Sequence, residues 1–306
     1  MKDLSNFILI FFCITAGIVF SRLQLASKNA HKGINAWVLY IALPALSLRF
    51  IPEIEFTSNL WFPVVSPFLV WGGSWLFVHL YDRKRRLSVA SRTALFVIGG
   101  LGNTSFIGMP MISAYFGESE LHHAVIFDQV TFLIFATLGL IAVMNATSER
   151  SGHADFYDIF KRMLRFPPLI ASVAALAVSR FVDYSFANDF LDKLVATMSP
   201  MALFSIGLQL RVGKIRQEWR LLTAGIAYKL IIAPLLVFAL AFAVGVSGSL
   251  AKITVFEAAM SSHITASILV SQNNLNPNYC SLVVGFGIVI GFLTTGIWYW
   301  VVQAAL

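Results

Sequence analysis

The sequence predicts an all-α membrane protein with ten transmembrane helices in two inverted five-helix repeats, and three observations lead there. The 306 residues are 58% hydrophobic and only 12% charged, with mean hydropathy +0.78, outside the range of soluble domains. At about 20 residues per crossing, the apolar stretches divide into ten: roughly 5–22, 33–52, 60–81, 90–115, 121–145, 166–181, 188–211, 219–246, 251–273 and 279–304. Lysines and arginines then alternate between the two sets of connections. Arg22, Lys28 and Lys32, the cluster Arg83–Arg86 with Arg92, the set Arg150, Lys161, Arg162 and Arg165, and the set Arg211, Lys214, Arg216 and Arg220 follow helices 1, 3, 5 and 7. The opposite connections hold only Lys2, Arg49, Arg180, Lys193 and Lys252. The positive-inside rule therefore puts both termini outside the cytoplasm, in a plasma membrane or a bacterial inner membrane.

The first helix opens like a signal peptide, with Lys2 ahead of an apolar run to Phe20, but no small-residue cleavage site precedes Arg22, so it is read as retained. The second, WVLYIALPALSLRFI, carries Pro44. The third ends among the basic residues, where His79 and Asp82 read as interfacial. The fourth contains GGLGNTSFIGMPMISAYFG, whose glycines and Pro110 make a poor continuous helix, so an unwound point is expected between Gly102 and Pro110. The fifth carries Asp128 after an outer loop holding His122 and His123. A connection over 147–165 follows, with apolar residues at helical spacing that suggest an amphipathic surface helix. The sixth, from Pro167 to Arg180, is the shortest, and the topology depends on it. The seventh, LVATMSPMALFSIGLQL, carries Pro200, the eighth Lys229, and the ninth Glu257 ahead of MSSHITASILVSQNN. Trp298, Tyr299 and Trp300 close the tenth and read as an aromatic belt.

Pro44 and Pro200 occupy corresponding helices, and the interrupted fourth helix falls opposite the interrupted ninth. Two copies of five helices must have opposite orientations, because five is odd. The copies are 1–146 and 166–306, joined by the linker 147–165. In transporters built this way, the binding site lies near the midplane where the two discontinuous helices cross.

Broken helices offer backbone N–H groups and the positive end of a helix dipole to an anion. Asn103 and Thr104 add side-chain donors, and Met260, Ser261, Ser262 and His263 surround the second break. Ionisable residues at membrane depth are functional candidates by default. Asp128 and Glu257 are candidates to bind a coupling ion, sodium or a proton, and Lys229 to attract an anion or neutralise a carboxylate. Cys13 and Cys280 suggest neither a disulfide scaffold nor a metal site, and no cofactor is expected. The net charge of +7 is spent on orientation and implies no nucleic acid. No Walker motif, HExxH or GxSxG is present, which opposes ATP hydrolysis and an intramembrane enzyme.

The run GNTSFIGMPMISAYFG followed by VIFDQ, with SPMALFSIGLQL and FEAAMSSHITASILVSQ, resembles the auxin efflux carrier family of secondary transporters, in its bacterial form. The resemblance covers essentially the whole chain. It implies ten helices in two inverted repeats, scaffold and transport domains each drawn from both, and a site at the crossing of helices 4 and 9 that includes Pro110. It also implies small carboxylate substrates. One departure is that Ser261 and Ser262 follow Met260, where such proteins usually carry a proline. FEAAM further resembles a helix of the related bile acid:sodium symporters, which leaves a sodium-coupled symporter of amphipathic anions as an alternative. A non-transporting membrane sensor would look the same, and a homodimer is among the assemblies the sequence leaves open.

Overall fold

The computed structural model describes residues 2–27, 29–53, 58–148, 167–178, 181–182, 184–209 and 215–306. Among them the chain is helical, and its one β pairing is an isolated antiparallel bridge between Gly102 and Ser262. The helices are α1 (Lys2–Arg22), α2 (Ala30–Phe50), α3 (Ser58–Arg85), α4 (Val89–Gly100), α5 (Met109–Tyr115) and α6 (Glu118–Thr147). After them come α7 (Pro167–Val178), α8 (Ser185–Leu208), α9 (Glu218–Val244), α10 (Ser249–Ala258), α11 (Ile264–Gln272) and α12 (Pro277–Ala305).

Six of these, α2, α3, α6, α8, α9 and α12, are long and apolar enough to cross a membrane. Shorter apolar helices are Ile8–Arg22 within α1, and α4. The fourth predicted helix is divided into α4 and α5, and the ninth into α10 and α11. Of the sixth predicted helix, the described residues include α7, 12 residues long. The amphipathic helix expected in the 147–165 linker lies outside the described residues.

Prolines shape the helices from within. Five-residue π turns occur at Val38–Ala42, Thr104–Gly108, Phe135–Gly139 and Tyr228–Ile232. Three of them end two residues before a proline: Pro44, Pro110 and Pro234. Proline has no N–H to donate and its ring crowds the carbonyl one turn back, so the preceding turn widens. Pro234 leaves the Leu230 carbonyl without its usual amide, and the indole Nε1–H of Trp298 donates to it at 2.9 Å. Trp298 is therefore buried inside the bundle and is not part of an aromatic belt, whereas Trp300 is 74% exposed. Trp298→Phe keeps the ring but strands that carbonyl. It should lower stability by about 1–2 kcal/mol in a detergent melt, while Trp300→Phe should leave the melting temperature unchanged.

The chain forms two compact units. The first comprises Met1–Phe56, Ser105–Val125 and Leu164–Leu210. Within it α1 and α8 cross backbone to backbone: a Cβ built on Gly207 would lie 2.2 Å from the Ile14 carbonyl oxygen and 2.9 Å from Gly17 Cα. Lipid tails supply no hydrophobic drive between helices, so close approach through small residues is how such helices associate. Arg49 Nε to Asp192 at 2.8 Å and Trp37 Nε1 to Thr197 Oγ1 at 2.8 Å tie α2 to α8.

The second unit comprises Thr57–Thr104, Ile126–Met163 and Arg211–Leu306. Its core gathers Trp71, Leu95, Ile98, Leu101, Val270, Tyr279 and Val283. Glycine again permits contact here. A Cβ on Gly100 would meet Trp71 at 2.7 Å, and one on Gly225 would meet the Tyr279 hydroxyl at 2.2 Å. The division between units falls between Thr104 and Ser105, inside the fourth predicted helix.

Candidate functional site

Two helix breaks meet in the second unit. α4 stops at Gly100, and Leu101 turns extended at φ −123°, ψ 125°. α10 stops at Ala258, where Met260 N–H closes a last turn onto the Glu257 carbonyl at 3.1 Å, and His263 is extended at φ −66°, ψ 120°. The two extended pieces run antiparallel. Asn103 N–H donates to the Ser261 carbonyl at 2.7 Å, and His263 N–H donates to the Leu101 carbonyl at 3.1 Å. A freed backbone group away from water costs several kcal/mol, and here each break supplies the partner the other lacks.

The opening in the fourth helix is thus at Leu101–Asn103, at the glycine end of the Gly102–Pro110 stretch where an unwound point was expected. Pro110 is the second residue of α5 and widens the Thr104–Gly108 turn instead of making the break. The ninth helix opens without proline or glycine, at Ala259–His263.

Lys229 comes to this junction from the π turn of α9. It is 2% exposed, and its Nζ donates to the carbonyl of Ala258 at 2.8 Å. That carbonyl ends α10, where the partial negative charge of a helix collects. Lysine therefore caps a half-helix and does not snorkel to the surface. Gly102 makes room for it, since a Cβ there would lie 3.1 Å from Nζ.

Two buried carboxylates complete the cluster. Asp128 on α6, 2% exposed, accepts a short hydrogen bond from Thr104 Oγ1. Glu257, fully buried on the last turn of α10, has no hydrogen-bond partner for either carboxylate oxygen among the described residues. Glu257 is thus held away from the surface, at 0% exposure. Glu257 is within electrostatic reach of both Asp128 and Lys229, and His263 of Lys229.

His263 is the N-cap of α11: its Nδ1 accepts the Ala266 N–H at 3.3 Å, which in a neutral ring leaves the proton on Nε2. Phe135 stacks on the imidazole at 5.2 Å. Ser261 Oγ is buried without a partner among the described residues, its Cβ facing the glycines Gly287 and Gly291 of α12. Met260 and Ser262 are buried beside it. Phe135 and the Gly102–Lys229 contact were not legible as site features, because nothing in local sequence distinguishes them from packing.

The junction therefore combines amide, hydroxyl and imidazole groups, one lysine amine and two carboxyl groups, all withdrawn from solvent. Such a set can hold an anion beside the lysine, and a proton or small cation on the carboxylates.

The family model described as membrane transport protein matches residues 4–299, nearly the whole chain. The chain belongs to the membrane transport protein family. This is the auxin efflux carrier family that the motif around Asn103 and Pro110 resembled. The transporter is 24% identical over 288 residues to an uncharacterized transporter of Methanothermobacter thermautotrophicus, covering 93% of each chain. It is 25% identical over 295 residues to one of Methanocaldococcus jannaschii, covering 92% and 93%. It is also 24% identical over 246 residues to the mouse lysosomal cholesterol signaling protein, covering 73% of this chain and 28% of the mouse protein.

Pro110, His122 and His123, also singled out by sequence, belong to the first unit of the transporter. Pro110 belongs to the first unit, where it lines a cavity of about 560 Å³ with Arg49, Ser113, Asp192 and Ser199. His122 Nδ1 lies 2.7 Å from the Ser119 carbonyl oxygen, and His123 lies 3.6 Å from Glu120. Among the described residues, no group of three or more His, Cys, Asp or Glu residues is placed to hold a metal ion. Cys13 and Cys280 are buried free thiols.

Proposed function

We propose that this transporter is a secondary carrier of small organic carboxylates, working by alternating access, with substrate held where the two helix breaks meet. The observation that carries this is the antiparallel joining of the breaks around the buried Lys229 ammonium. Asn103, Ser262, the Nε2–H of His263 and the first amides of α11 are the donors that receive the carboxylate, Lys229 balances its charge, and Thr104, whose hydroxyl proton is given to Asp128, links the substrate site to that carboxyl. In this reading ten helices form two inverted repeats, 1–146 and 166–306, the junction lies near the bilayer midplane, and both termini lie outside the cytoplasm.

Asp128, Glu257 and Lys229 form the coupling site. A proton is the coupling ion favoured here, because an ammonium already sits among the carboxylates where a metal cation would go. The alternative is a sodium-coupled symporter of amphipathic anions, which the unpartnered oxygens of Glu257 favour. A membrane sensor is the third, prompted by the mouse relative named for signaling.

The test is flux of mono- and dicarboxylates into proteoliposomes, with sodium, with potassium and under an imposed pH gradient. Uptake driven by the pH gradient supports the proton reading, and uptake only with sodium transfers the assignment to the symporter. Binding without flux indicates a sensor. Asn103→Ala should weaken carboxylate binding about tenfold, the size of one lost hydrogen bond to a charged group, without unfolding the protein. Unchanged binding removes Asn103 from the site.

A further inference from the structure

A second site lies in the second unit, away from the helix junction. α3, α4 and α6 enclose a crevice of about 570 Å³, and none of the junction residues lines it. Its walls are apolar along most of their length, formed by Trp71, Trp75, Phe96, Leu138 and Ile141. Trp75 is 57% exposed and Leu138 38%, so the crevice opens sideways at the surface of the helices and is no closed core void.

One end of the crevice is polar and basic. His79, stacked on Trp75 at 5.6 Å, joins Arg92 and Asn145 there. Arg92 Nη1 lies 3.3 Å from Asp82 Oδ2, and its side chain remains 49% exposed. Asp82 is already engaged by the Leu87 N–H at 2.6 Å. Arg83, Lys84, Arg85 and Arg86 follow Asp82 immediately in the chain, so this end of α3 carries a surplus of positive charge, although none of the four lines the crevice.

An apolar trough with a cationic end, opening sideways from membrane-spanning helices, matches a molecule with a long apolar body and an anionic head. In a bilayer that molecule is a phospholipid, and basic pockets between transmembrane helices are where anionic headgroups dock. A small soluble carboxylate would satisfy Arg92 and leave the aromatic trough empty. We propose that the crevice between α3, α4 and α6 binds one anionic glycerophospholipid, its phosphodiester at Arg92 and His79 and an acyl chain along Trp75, Phe96 and Leu138. The proposal rests on the membrane placement of the helices and not on the carboxylate reading, so flux assays and lipid binding fail independently.

The experiment is native mass spectrometry of the purified full-length protein titrated with phosphatidylglycerol or phosphatidylcholine of identical chains. The wild type should take up one phosphatidylglycerol at least about fivefold more tightly than phosphatidylcholine, the preference one interfacial arginine supplies. Arg92→Gln should erase that preference. Ala142→Phe, which fills the trough, should reduce retention of both lipids with Arg92 intact. Neutralising Arg83, Lys84, Arg85 and Arg86 together should leave the tightly held lipid in place.

Equal retention of the two lipids by the wild type overturns the proposal. So does loss of preference in the four-fold variant with retention in Arg92→Gln, which would assign the effect to diffuse surface charge. Displacement of the lipid by glycerol 3-phosphate or benzoate alone would make the crevice a soluble-anion site and overturn it equally.

Discussion

Lys229→Met is expected to abolish flux in proteoliposomes while the protein still folds. Methionine preserves most of the buried volume of the lysine stem but carries neither charge nor donor. The Ala258 carbonyl at the end of α10 loses its partner, and Glu257 is left facing Asp128 with no nearby ammonium. Removing one partner from a buried, hydrogen-bonded charge cluster costs about 2–5 kcal/mol. If that cost falls on substrate-loaded states, flux drops by roughly 30-fold to more than 1,000-fold. Flux in proteoliposomes and the melting temperature, measured on the same preparation, separate a lost site from a lost fold. Adding Glu257→Gln to Lys229→Met should recover melting temperature but not transport, because it removes the stranded carboxylate without restoring the ammonium. Wild-type flux from Lys229→Met would take the lysine out of the mechanism.

Gly207→Ala should have the largest effect on folding. The new methyl group would sit 2.2 Å from the Ile14 carbonyl oxygen and 2.9 Å from Gly17 Cα, both backbone atoms that cannot rotate away. Relief requires α1 and α8 to separate, which gives up the contact that holds them. Overpacking of this kind costs about 1–3 kcal/mol, and more where backbone must move. Gly33→Ala is the control, since nothing lies within 4 Å of a Cβ there. A melting temperature lowered by Gly207→Ala and unchanged or raised by Gly33→Ala, where alanine favours the helix, is the outcome to look for. Equal melting of the two variants would mean the helices are not in contact. Gly17→Ala should behave like Gly207→Ala, and the double variant should lose less than the sum, because both remove one shared contact.

The apolar stretches and the weakness of the fourth helix were legible because they are local. Gly99, Gly100 and Gly102 advertise an interruption whatever surrounds them. Pro110 drew attention for the same reason, but the break falls at the glycine end of the expected stretch, since proline near the start of a helix is tolerated and only widens the turn before it. The ninth helix is the opposite case. Nothing in Ala259–His263 compels a break, and the extended conformation is fixed by pairing with Leu101 and Asn103, a long-range partner that no window of sequence contains. Trp298 reads as an interfacial ring until the carbonyl freed by Pro234 is seen beneath its indole. Glu257 was visible as a charge in an apolar run, but its depth was not, because span boundaries on sequence alone are uncertain by several residues.

The mutual pairing of the two breaks also governs how the molecule can be made. Leu101 and Asn103 leave the ribosome long before Ser261 and His263, and until those arrive one carbonyl and one amide beside the break are unanswered. The first half of the chain cannot reach its final form during its own synthesis. It must wait, exposed to lipid or shielded by a helper, for the ninth helix to be threaded in. A truncation anywhere before residue 261 would therefore damage the earlier helices as well as removing the later ones.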